Sequence, residues 1–297
     1  DRSFLALNPT LSLVTNIELE HTDIYSDLDD MKQAFVQFCN SVPFYGAVAL
    51  CIDSHHVNNI LPEIRRPILT YGLHSNADVR AENISYNKTQ ATFTLIHKGA
   101  ELGTILLQVP GEHNILNSLG AACIGIELGL VSHDIIQGLN KYNGVRRRFE
   151  IKGTINDILV VDDYAHHPTE VKATLKAAND GWDRRIISIF QPHLFTRTRD
   201  FFMEFANAFL NSDVLIITEI YPAREEPIKG ITGELVAKAA ENAGHKNVLF
   251  IPDLEDLNKQ LDLIAQPGDM VLTMGAGTIW RYSDKYFSHL KNVEAAA

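Results

Sequence analysis

The chain has 297 residues, 45% of them hydrophobic, and a formal net charge of −11 at pH 7. These values predict a globular protein with two cores, and the acidic balance argues against nucleic acid as a partner. Its three cysteines form no C-x-x-C pair and no apolar run is long enough to span a bilayer, so we expect a reducing, cytoplasmic location and no membrane partner.

The first residues, Asp1–Leu5, contain neither an initiator methionine nor a helix-capping signal, and they lead directly into apolar sequence. This start predicts that the chain begins inside a domain and that the front of a longer protein precedes it. The phosphate-binding pattern G-x-x-x-x-G-K-[ST] is also missing from the sequence, which agrees with a missing front.

The first half of the chain predicts a parallel sheet together with a smaller antiparallel one. Leu11–Ile17 and Gly46–Ile52 have the apolar runs of buried strands, with a helix over Asp27–Asn40 between them. His55 and His56 lack neighbours that would complete a metal set, so we expect them in a surface loop. Three later segments predict short strands of a small antiparallel sheet set against the parallel one. These segments are Arg66–Tyr71, Ala91–Lys98 and Gly103–Val109.

Four polar side chains after the first strand suit a hard divalent cation. Glu18, Glu20, His21 and Asp23 offer carboxylate oxygens and one imidazole, which such a cation accepts as ligands. A polar loop that leads into the next helix explains the same residues without a metal. Both interpretations are open from the residues alone.

The segment Pro110–Leu119 predicts the start of a helix with two amides on one face. The helix begins near Asn114, after Gly111 and His113, and Asn117 lies one turn further along. An amide group donates and accepts hydrogen bonds at once, as the edge of adenine does, so the pair suits a nucleotide base. The alternative, which is strongest for Asn114, is a cap at the helix start.

The run Gly144–Glu150 (G-V-R-R-R-F-E) marks a domain boundary, because the hydrophobic periodicity restarts after its glycine. We therefore predict a first domain over residues 1–146 and a second over residues 147–297. Three adjacent arginines are typical of a solvated linker, but between two domains they are also placed to reach phosphate groups.

After this boundary, strands alternate with helices, which predicts a parallel, doubly wound α/β sheet. The predicted strands are Ile158–Val161, Arg185–Phe190, Val214–Ile220, Val248–Ile251 and Met270–Met274. Polar groups follow three strands, at Asp162–His167, Gln191–Arg199 and Glu219–Glu225, and the carboxyl ends of parallel strands are where ligands bind. Gly275-Ala276-Gly277 is a weak phosphate signal, which a close strand–helix turn explains better.

The densest polar cluster is D-D-Y-A-H-H-P-T-E, Asp162–Glu170, between a buried strand and a helix that starts at Pro168. Its polar side chains are costly at a strand-to-helix turn unless they serve a ligand. An ordinary turn with His167 as a helix cap is the alternative. A cleft of carboxylates, imidazoles and arginines suits transfer of a phosphoryl group followed by attack of a second substrate.

Six motifs follow one another along residues 1–285. They are D-R-S-F-L with T-N-I-E-x-E-H-x-D, P-G-x-H-N-x-L-N, G-V-x-R-R-F-E, D-D-Y-[GA]-H-H-P-T-E, F-Q-P-H-x-x-T-R-T-R-D and E-x-Y-P-A-R-E-x-P. In residues and order they resemble the motifs of the Mur ligases. The resemblance implies the second part of an ATP-binding central domain, followed by a Rossmann-like, doubly wound C-terminal domain. It also implies an ATP- and Mg²⁺-dependent ligase of peptidoglycan precursor synthesis, which joins L-alanine to UDP-N-acetylmuramate through an acyl phosphate.

The resemblance further implies roles for the residues that match its motifs. The nucleotide and metal positions are His21 for Mg²⁺, His113, Asn114 and Asn117 for the adenine side, Arg147 for ATP phosphate or ribose, and Asp163 for the ribose. Which arginine matches the junction position is uncertain by one residue, because Arg146 and Arg148 flank Arg147. Tyr164, His166 and His167 match the amino-acid and muramyl end. The residues with implied catalytic roles are His166, and His193, Arg197 and Arg199 at the substrate carboxylate and acyl phosphate.

Two positions depart from the family pattern. Leu194 stands where many relatives have arginine, which removes a positive group near the amino acid, and Ala165 replaces the commoner glycine. The N-terminal UDP-binding domain, the phosphate loop with its lysine, and an acidic metal ligand expected before Asp1 are absent. We therefore predict that these residues alone do not make the peptide bond.

Two other functions stay open. One is a ligase that attaches a recovered tripeptide to the same muramyl nucleotide, and the resemblance implies that this ligase also has alanine at the position of Ala165. The other is a non-catalytic nucleotide-binding module.

Overall fold

A computed structural model describes residues 2–19 and 24–296. The chain divides into two compact units, which meet in sequence between Asn143 and Gly144. The expected functional boundary between residues 146 and 147 stays a prediction. Each unit has its own sheet and its own apolar core.

In the part of the chain that the structure describes, the first unit contains one six-stranded sheet with helices packed on it. Its strands are β1 (Leu11–Val14), β2 (Ala47–Cys51), β3 (Ile68–Gly72), β4 (Val79–Asn87), β5 (Gln90–His97) and β6 (Ala100–Leu107). Its helices are α1 (Leu28–Ser41), α2 (His55–Ile60), α3 (Glu112–Glu127) and α4 (Ser132–Asn140).

The strands of the first sheet lie side by side in sequence order. Strands β1 to β4 pair in parallel, whereas β4, β5 and β6 pair antiparallel. The first unit therefore contains antiparallel strands as expected, but they continue the parallel strands in one mixed sheet and are not set against it. The strand that contains Thr70 belongs to the parallel part, since Thr70 pairs with Leu50 of β2.

Helix α3 covers this sheet with the residues that its periodicity predicted. Ile115, Leu119 and Ala122 are fully buried and share one apolar cluster with Phe93 of β5. This burial provides most of the stability of such a helix, because packing of an apolar face stabilises helices in proteins more than intrinsic propensity does.

The expectation of a surface loop at His55 and His56 was wrong. Both residues lie in the first turn of α2, which follows Ser54 at the N-cap. Val57 and Ile60, on the inner side of this helix, are buried in the core. Their burial stabilises a helix too short to form on its own.

The second unit, within the described residues, is also built on a six-stranded sheet. Its strands are β7 (Glu150–Ile155), β8 (Ile158–Asp163), β9 (Arg185–Phe190), β10 (Val214–Thr218), β11 (Val248–Ile251) and β12 (Asp269–Met274). Its helices are α5 (Pro168–Gly181), α6 (Phe195–Ala208), α7 (Gly233–Asn242), α8 (Leu257–Ile264) and α9 (Ile279–Ala296).

The second sheet has the order β11-β10-β9-β12-β8-β7, and every pair except β7–β8 is parallel. Successive residues of β8 point into different apolar clusters: Leu159 and Val161 into one, Ile158 and Val160 into the other. Helices therefore cover both faces, which confirms the predicted doubly wound α/β fold. The antiparallel edge strand β7 was not predicted.

Cys39, Cys51 and Cys123 are unpaired and buried, as the sequence predicted for core thiols. Burial raises the pKa of each thiol, for Cys39 to about 12. These thiols are therefore unreactive, because the thiolate is the reactive form.

Within residues 2–19 and 24–296, no helix combines the length and the apolar character that crossing a bilayer requires.

Candidate active site

The polar segments after strands β8, β9 and β12 meet at the carboxyl edge of the second sheet. The backbone N–H of Gly275 donates to the carbonyl of Asp163 at 3.2 Å. The backbone N–H of Gln191 donates to the carbonyl of Met274 at 3.0 Å. The strand order thus joins segments that lie far apart in sequence, at the edge where α/β sheets bind ligands.

Asp162, at the end of β8, is fully buried and has two partners. Thr273 Oγ1 donates to its carboxylate at 2.8 Å and Arg147 Nε donates at 3.3 Å. Burial raises the pKa of Asp162, although the Thr273 hydroxyl and the Arg147 guanidinium oppose the rise. Arg147 Nη2 also donates to the carbonyl of Gly275 at 2.6 Å. The side chain of Arg147 is thus held against β8 and the turn after β12.

Asp163 joins the arginine-rich junction to the turn after β8. Its Oδ2 accepts the backbone N–H of Phe149 at 2.8 Å, and its Oδ1 accepts that of Ala165 at 2.7 Å. Burial raises the pKa of Asp163 to about 6 in spite of these bonds. The observed contacts of this carboxylate are therefore structural, and its contact with ATP ribose stays a prediction.

Arg148 differs from Arg147 in its exposure. Its side chain is 52% exposed, with Nη1 3.4 Å from Glu170 Oε1. Its guanidinium lies 5.5 Å from the centre of the Tyr164 ring, and that of Arg147 lies 4.9 Å from the same ring. The register of the junction arginine was open by one residue, and this exposure favours Arg148 over Arg147 as the arginine that faces a ligand.

His166 has hydrogen-bond acceptors along one edge of its ring. Its Nδ1 lies 2.9 Å from the carbonyl oxygen of Tyr164 and 3.1 Å from Oε2 of Glu170. Glu170 also accepts the backbone N–H groups of His166 at 2.9 Å and His167 at 3.2 Å, as the acid of a capping box on α5. Burial by itself would raise the pKa of Glu170, but the hydrogen bonds from His166 and the charge of Arg148 lower it to about 2.

His193 lies beside His166, with the ring centres 6.1 Å apart. It stacks on Tyr221 at 5.7 Å, and its Nδ1 lies 3.4 Å from Nη1 of Arg197. Burial and then the positive charge of Arg197 lower the pKa of His193 to about 4. The ring is therefore neutral at neutral pH, and the structure brings His166, His193 and Arg197 together.

The backbone around Leu194 directs His193 and Arg197. The Leu194 N–H donates to the carbonyl of Tyr221 at 3.0 Å, and the Tyr221 N–H donates to that of Pro192 at 2.8 Å. Leu194 has a φ of 72°, a left-handed conformation that costs a residue other than glycine about 1–3 kcal/mol. The departure from the family pattern thus lies in a strained turn that leads into α6.

Two predicted residues have their observed contacts elsewhere. Arg199 is exposed and pairs with its neighbour Asp200 through two hydrogen bonds of 2.7 and 3.1 Å. Arg197 and Arg199 are two residues apart in α6, so they point to different sides of the helix. His167 packs edge-on against Phe201 at 5.2 Å between ring centres. The roles of Arg199 and His167 stay predictions.

Two residues of the same edge received no individual role from the sequence. Gln191 is buried, and its Oε1 accepts the N–H groups of Thr278 at 2.8 Å and Ile279 at 3.1 Å, which cap the start of α9. Glu225 accepts the backbone N–H of Thr196 at 3.0 Å and also its hydroxyl. Polar residues after buried strands were the only available signal, and it does not distinguish structural from ligand-binding groups.

The first unit carries the predicted adenine residues at the start of α3. Asn114 Nδ2 donates to the carbonyl of Pro110 at 2.7 Å, a local contact at the helix start. His113 is half-buried and Asn117 is exposed. Their nucleotide role stays a prediction.

The Mg²⁺ site expected at His21 lies outside the described residues, as do Glu20 and Asp23. Within residues 2–19 and 24–296, no three histidine, cysteine, aspartate or glutamate side chains form a group that could hold a metal ion. The metal site therefore stays a prediction.

Two family models match the chain in sequence order. The Mur ligase middle domain matches residues 2–125, and the glutamate ligase domain of the Mur ligases matches residues 147–277. The chain belongs to the Mur ligase family.

Among its relatives are enzymes named UDP-N-acetylmuramate–L-alanine ligase. Those of Geotalea uraniireducens and Salinibacter ruber are 45% and 46% identical to this chain, each over 98% of its length. The chain spans 64% and 62% of these two relatives, which is less than two thirds of either.

Solved structures share the fold. The UDP-N-acetylmuramate-alanine ligase MurC from Thermotoga maritima has a TM-score of 0.80 and 24% identity, covering 99% of this chain and 62% of its own. A murein peptide ligase from Psychrobacter arcticus has a TM-score of 0.66 and 24% identity, covering 97% of this chain and 59% of its own.

Proposed function

We propose that the protein containing this chain joins L-alanine to UDP-N-acetylmuramate, with ATP and Mg²⁺, in peptidoglycan precursor synthesis. The observation that carries the proposal is the convergence of His166, His193 and Arg197 at the carboxyl edge of the second sheet. Identity of 45% and 46% to ligases of this name supports it. A cytoplasmic location, without a nucleic-acid or membrane partner, belongs to the same proposal.

The reaction requires an activated carboxylate and an uncharged amine. ATP supplies the phosphoryl group that makes the muramyl carboxylate an acyl phosphate, and Mg²⁺ neutralises phosphate charge. The residues of this chain align the two substrates and balance their negative charges. Expulsion of phosphate after attack by the amine completes the amide bond.

At the nucleotide side, we assign to Arg148 the contact with ATP phosphate or ribose that the sequence gave to Arg147. Arg148 is 52% exposed, whereas Arg147 donates to Asp162 and to the carbonyl of Gly275. Asp163 keeps its proposed ribose contact, because each carboxylate oxygen has a further lone pair.

At the amino-acid side, His193 and Arg197 bind the substrate carboxylate and acyl phosphate. Arg197 supplies positive charge, and the neutral His193 supplies an N–H donor. Tyr164 and His166 line the same end. We also assign Arg199 and His167 to the edge of this site. Arg199 has to break its hydrogen bond to Asp200 before it contacts a substrate.

In the first unit, we assign the adenine to the start of α3 and the metal to the strand end before α1. His113, Asn114 and Asn117 form the adenine side, with the exposed Asn117 as the base contact. His21 is the proposed Mg²⁺ ligand. The phosphate loop and the UDP-binding domain would lie in the part of the relatives that this chain does not cover.

Phosphate release from ATP tests the proposal against its alternatives. In the complete protein, release with UDP-N-acetylmuramate should depend on L-alanine. Dependence on the recovered tripeptide instead would favour the recycling ligase. Absence of turnover with both would favour a non-catalytic nucleotide-binding module.

The same assay tests residues 1–297 alone. We expect no turnover, because the proposed phosphate loop and UDP-binding domain are not among them. Robust turnover by these residues alone would refute this part of the proposal.

A further inference from the structure

The neighbours of His166 determine where its proton lies. A neutral imidazole carries one proton, on Nδ1 or Nε2, and the hydrogen-bond partners of the ring decide between them. Both partners of His166 Nδ1 are acceptors: the Tyr164 carbonyl at 2.9 Å and Glu170 Oε2 at 3.1 Å. Nδ1 therefore carries a proton, and Nε2 is the acceptor when the ring is neutral.

His193 has the opposite arrangement. Its Nδ1 lies 3.4 Å from Nη1 of Arg197, and a guanidinium group only donates. Nδ1 of His193 is therefore the acceptor and its Nε2 carries the proton. The two rings, 6.1 Å apart, thus offer one acceptor nitrogen and one N–H donor.

We propose that Glu170 is a positioning residue, which holds His166 in the Nδ1–H form so that Nε2 accepts a proton from the ammonium group of the amino-acid substrate. The inference rests on the proposed function and deepens it. In this step an N–H bond of the ammonium breaks, its electron pair stays on the amine nitrogen, and a new N–H bond forms at His166 Nε2. The amine nitrogen is then able to attack the acyl phosphate. The Nε2–H of His193 is the matching donor for the substrate carboxylate.

Glu170 combines this role with helix capping through one oxygen atom. Its Oε2 meets the backbone N–H groups of His166 and His167 and the Nδ1 of His166. Once His166 Nε2 has taken the proton, the ring is a cation, and the carboxylate 3.1 Å from Nδ1 balances its charge. An acid that orients a histidine and stabilises its charged form has the same effect in hydrolase triads.

Long-range ¹⁵N–¹H NMR of histidine-labelled residues 1–297 reads the tautomers directly. The signals that disappear in His166→Gln and in His193→Gln assign the spectra of the two rings. We expect the Nδ1–H pattern for His166 and the Nε2–H pattern for His193. In Glu170→Ala one acceptor of Nδ1 is lost, so His166 should shift to a mixture of the two forms. Glu170→Gln retains an acceptor oxygen, so the Nδ1–H form should persist.

Glu219 is the matched control, because it also caps a helix of the second unit. Its Oε1 accepts the N–H of Gly233 at 2.9 Å, at the start of α7. Glu219→Ala should lower stability and leave the His166 pattern unchanged. An Nε2–H pattern for His166 in the wild type would overturn the proposal. An unchanged pattern in Glu170→Ala would also overturn it.

Kinetics of the complete protein separate this role from the proposed function. Glu170→Gln removes the carboxylate charge and should lower kcat about 10-fold. Glu170→Ala also removes an acceptor that holds His166 in the Nδ1–H form and should lower kcat about 100-fold. The KM for ATP should be unchanged in both variants. Equal kcat values in the wild type and both variants would overturn the positioning role but not the proposed function. If the wild type shows no L-alanine-dependent turnover, the proposed function fails, and the proton-transfer role fails with it even where the NMR pattern holds.

Discussion

At the scale of single residues, adjacent arginines of the junction have opposite surroundings. Arg147→Ala leaves the fully buried Asp162 carboxylate without its cation, so we expect the free energy of unfolding to fall by about 2–4 kcal/mol. Arg148→Ala removes a side chain that is 52% exposed and should cost about 0.5 kcal/mol or less. Urea unfolding of both variants measures the difference. Equal losses would contradict the assignment of Arg147 as the internal arginine.

His193 makes a pH-dependent contribution to stability. Burial and nearby positive charge lower its pKa from 6.5 to about 4 in the folded chain, so the unfolded chain binds more protons between these values. This contribution is fully present above pH 6.5 and is lost as the pH falls towards about 4. Urea midpoints measured across this range should fall less steeply with acidification in His193→Gln than in the wild type. Parallel curves would show that the folded chain does not disfavour the charged ring.

The sequence located the polar groups of the site but not their directions. Position after a strand is enough to bring Asp163, His166 and His193 to one edge, because parallel strands end together. Side-chain direction depends on backbone angles that the sequence does not signal, such as a φ of 61° at Arg147 and 72° at Leu194. The sequence therefore left the register of the junction arginine open by one position.

At the scale of elements, the turn between β12 and α9 depends on close packing. A Cβ added to Gly277 would lie 2.4 Å from Gln191 Oε1 and 2.6 Å from Cγ of Tyr221. Gly277→Ala should therefore destabilise the second unit by about 1–3 kcal/mol. Gly138→Ala in α4 is the control, because no atom lies within 4 Å of the added Cβ and alanine favours a helix by about 1 kcal/mol. Thermal unfolding should move in opposite directions, and a Gly277→Ala variant as stable as the wild type would contradict the packing argument.

Strands at exposed positions were the elements that the sequence did not reveal. The second half of β4 is polar and largely exposed, so it lacks the apolar run of a buried strand. β7 is an edge strand that joins β8 through Asn156 and Asp157, both with positive φ as a type I′ hairpin turn requires. The Asn-Asp pair was a usable signal for that hairpin. Strands β9 and β11, in contrast, have their predicted bounds, because apolar runs flanked by turns define them.

At the scale of the whole molecule, the order of strands and helices was enough to predict the doubly wound second unit. Right-handed crossovers between parallel strands leave few alternative topologies once the elements alternate. The mixed sheet of the first unit was harder, because the alternation of β5 and β6 indicates an antiparallel pair but not the neighbour that the pair extends. The parallel pairing of β3 with β4 joins Tyr71 to Val79 and Gly72 to Arg80, and no periodicity within either strand indicates it.

The second unit contains every described contact that positions His166, His193 and Glu170. Its two apolar clusters lie within residues 149–290, and the capping and junction contacts of Asp163, Glu170 and Gln191 are internal to it. We therefore expect residues 144–297 to fold alone and unfold in one cooperative transition. Circular dichroism during urea unfolding and the histidine NMR pattern of this piece measure both properties. A non-cooperative transition, or a His166 tautomer that differs from that of residues 1–297, would mean that contacts outside this unit help to form the site.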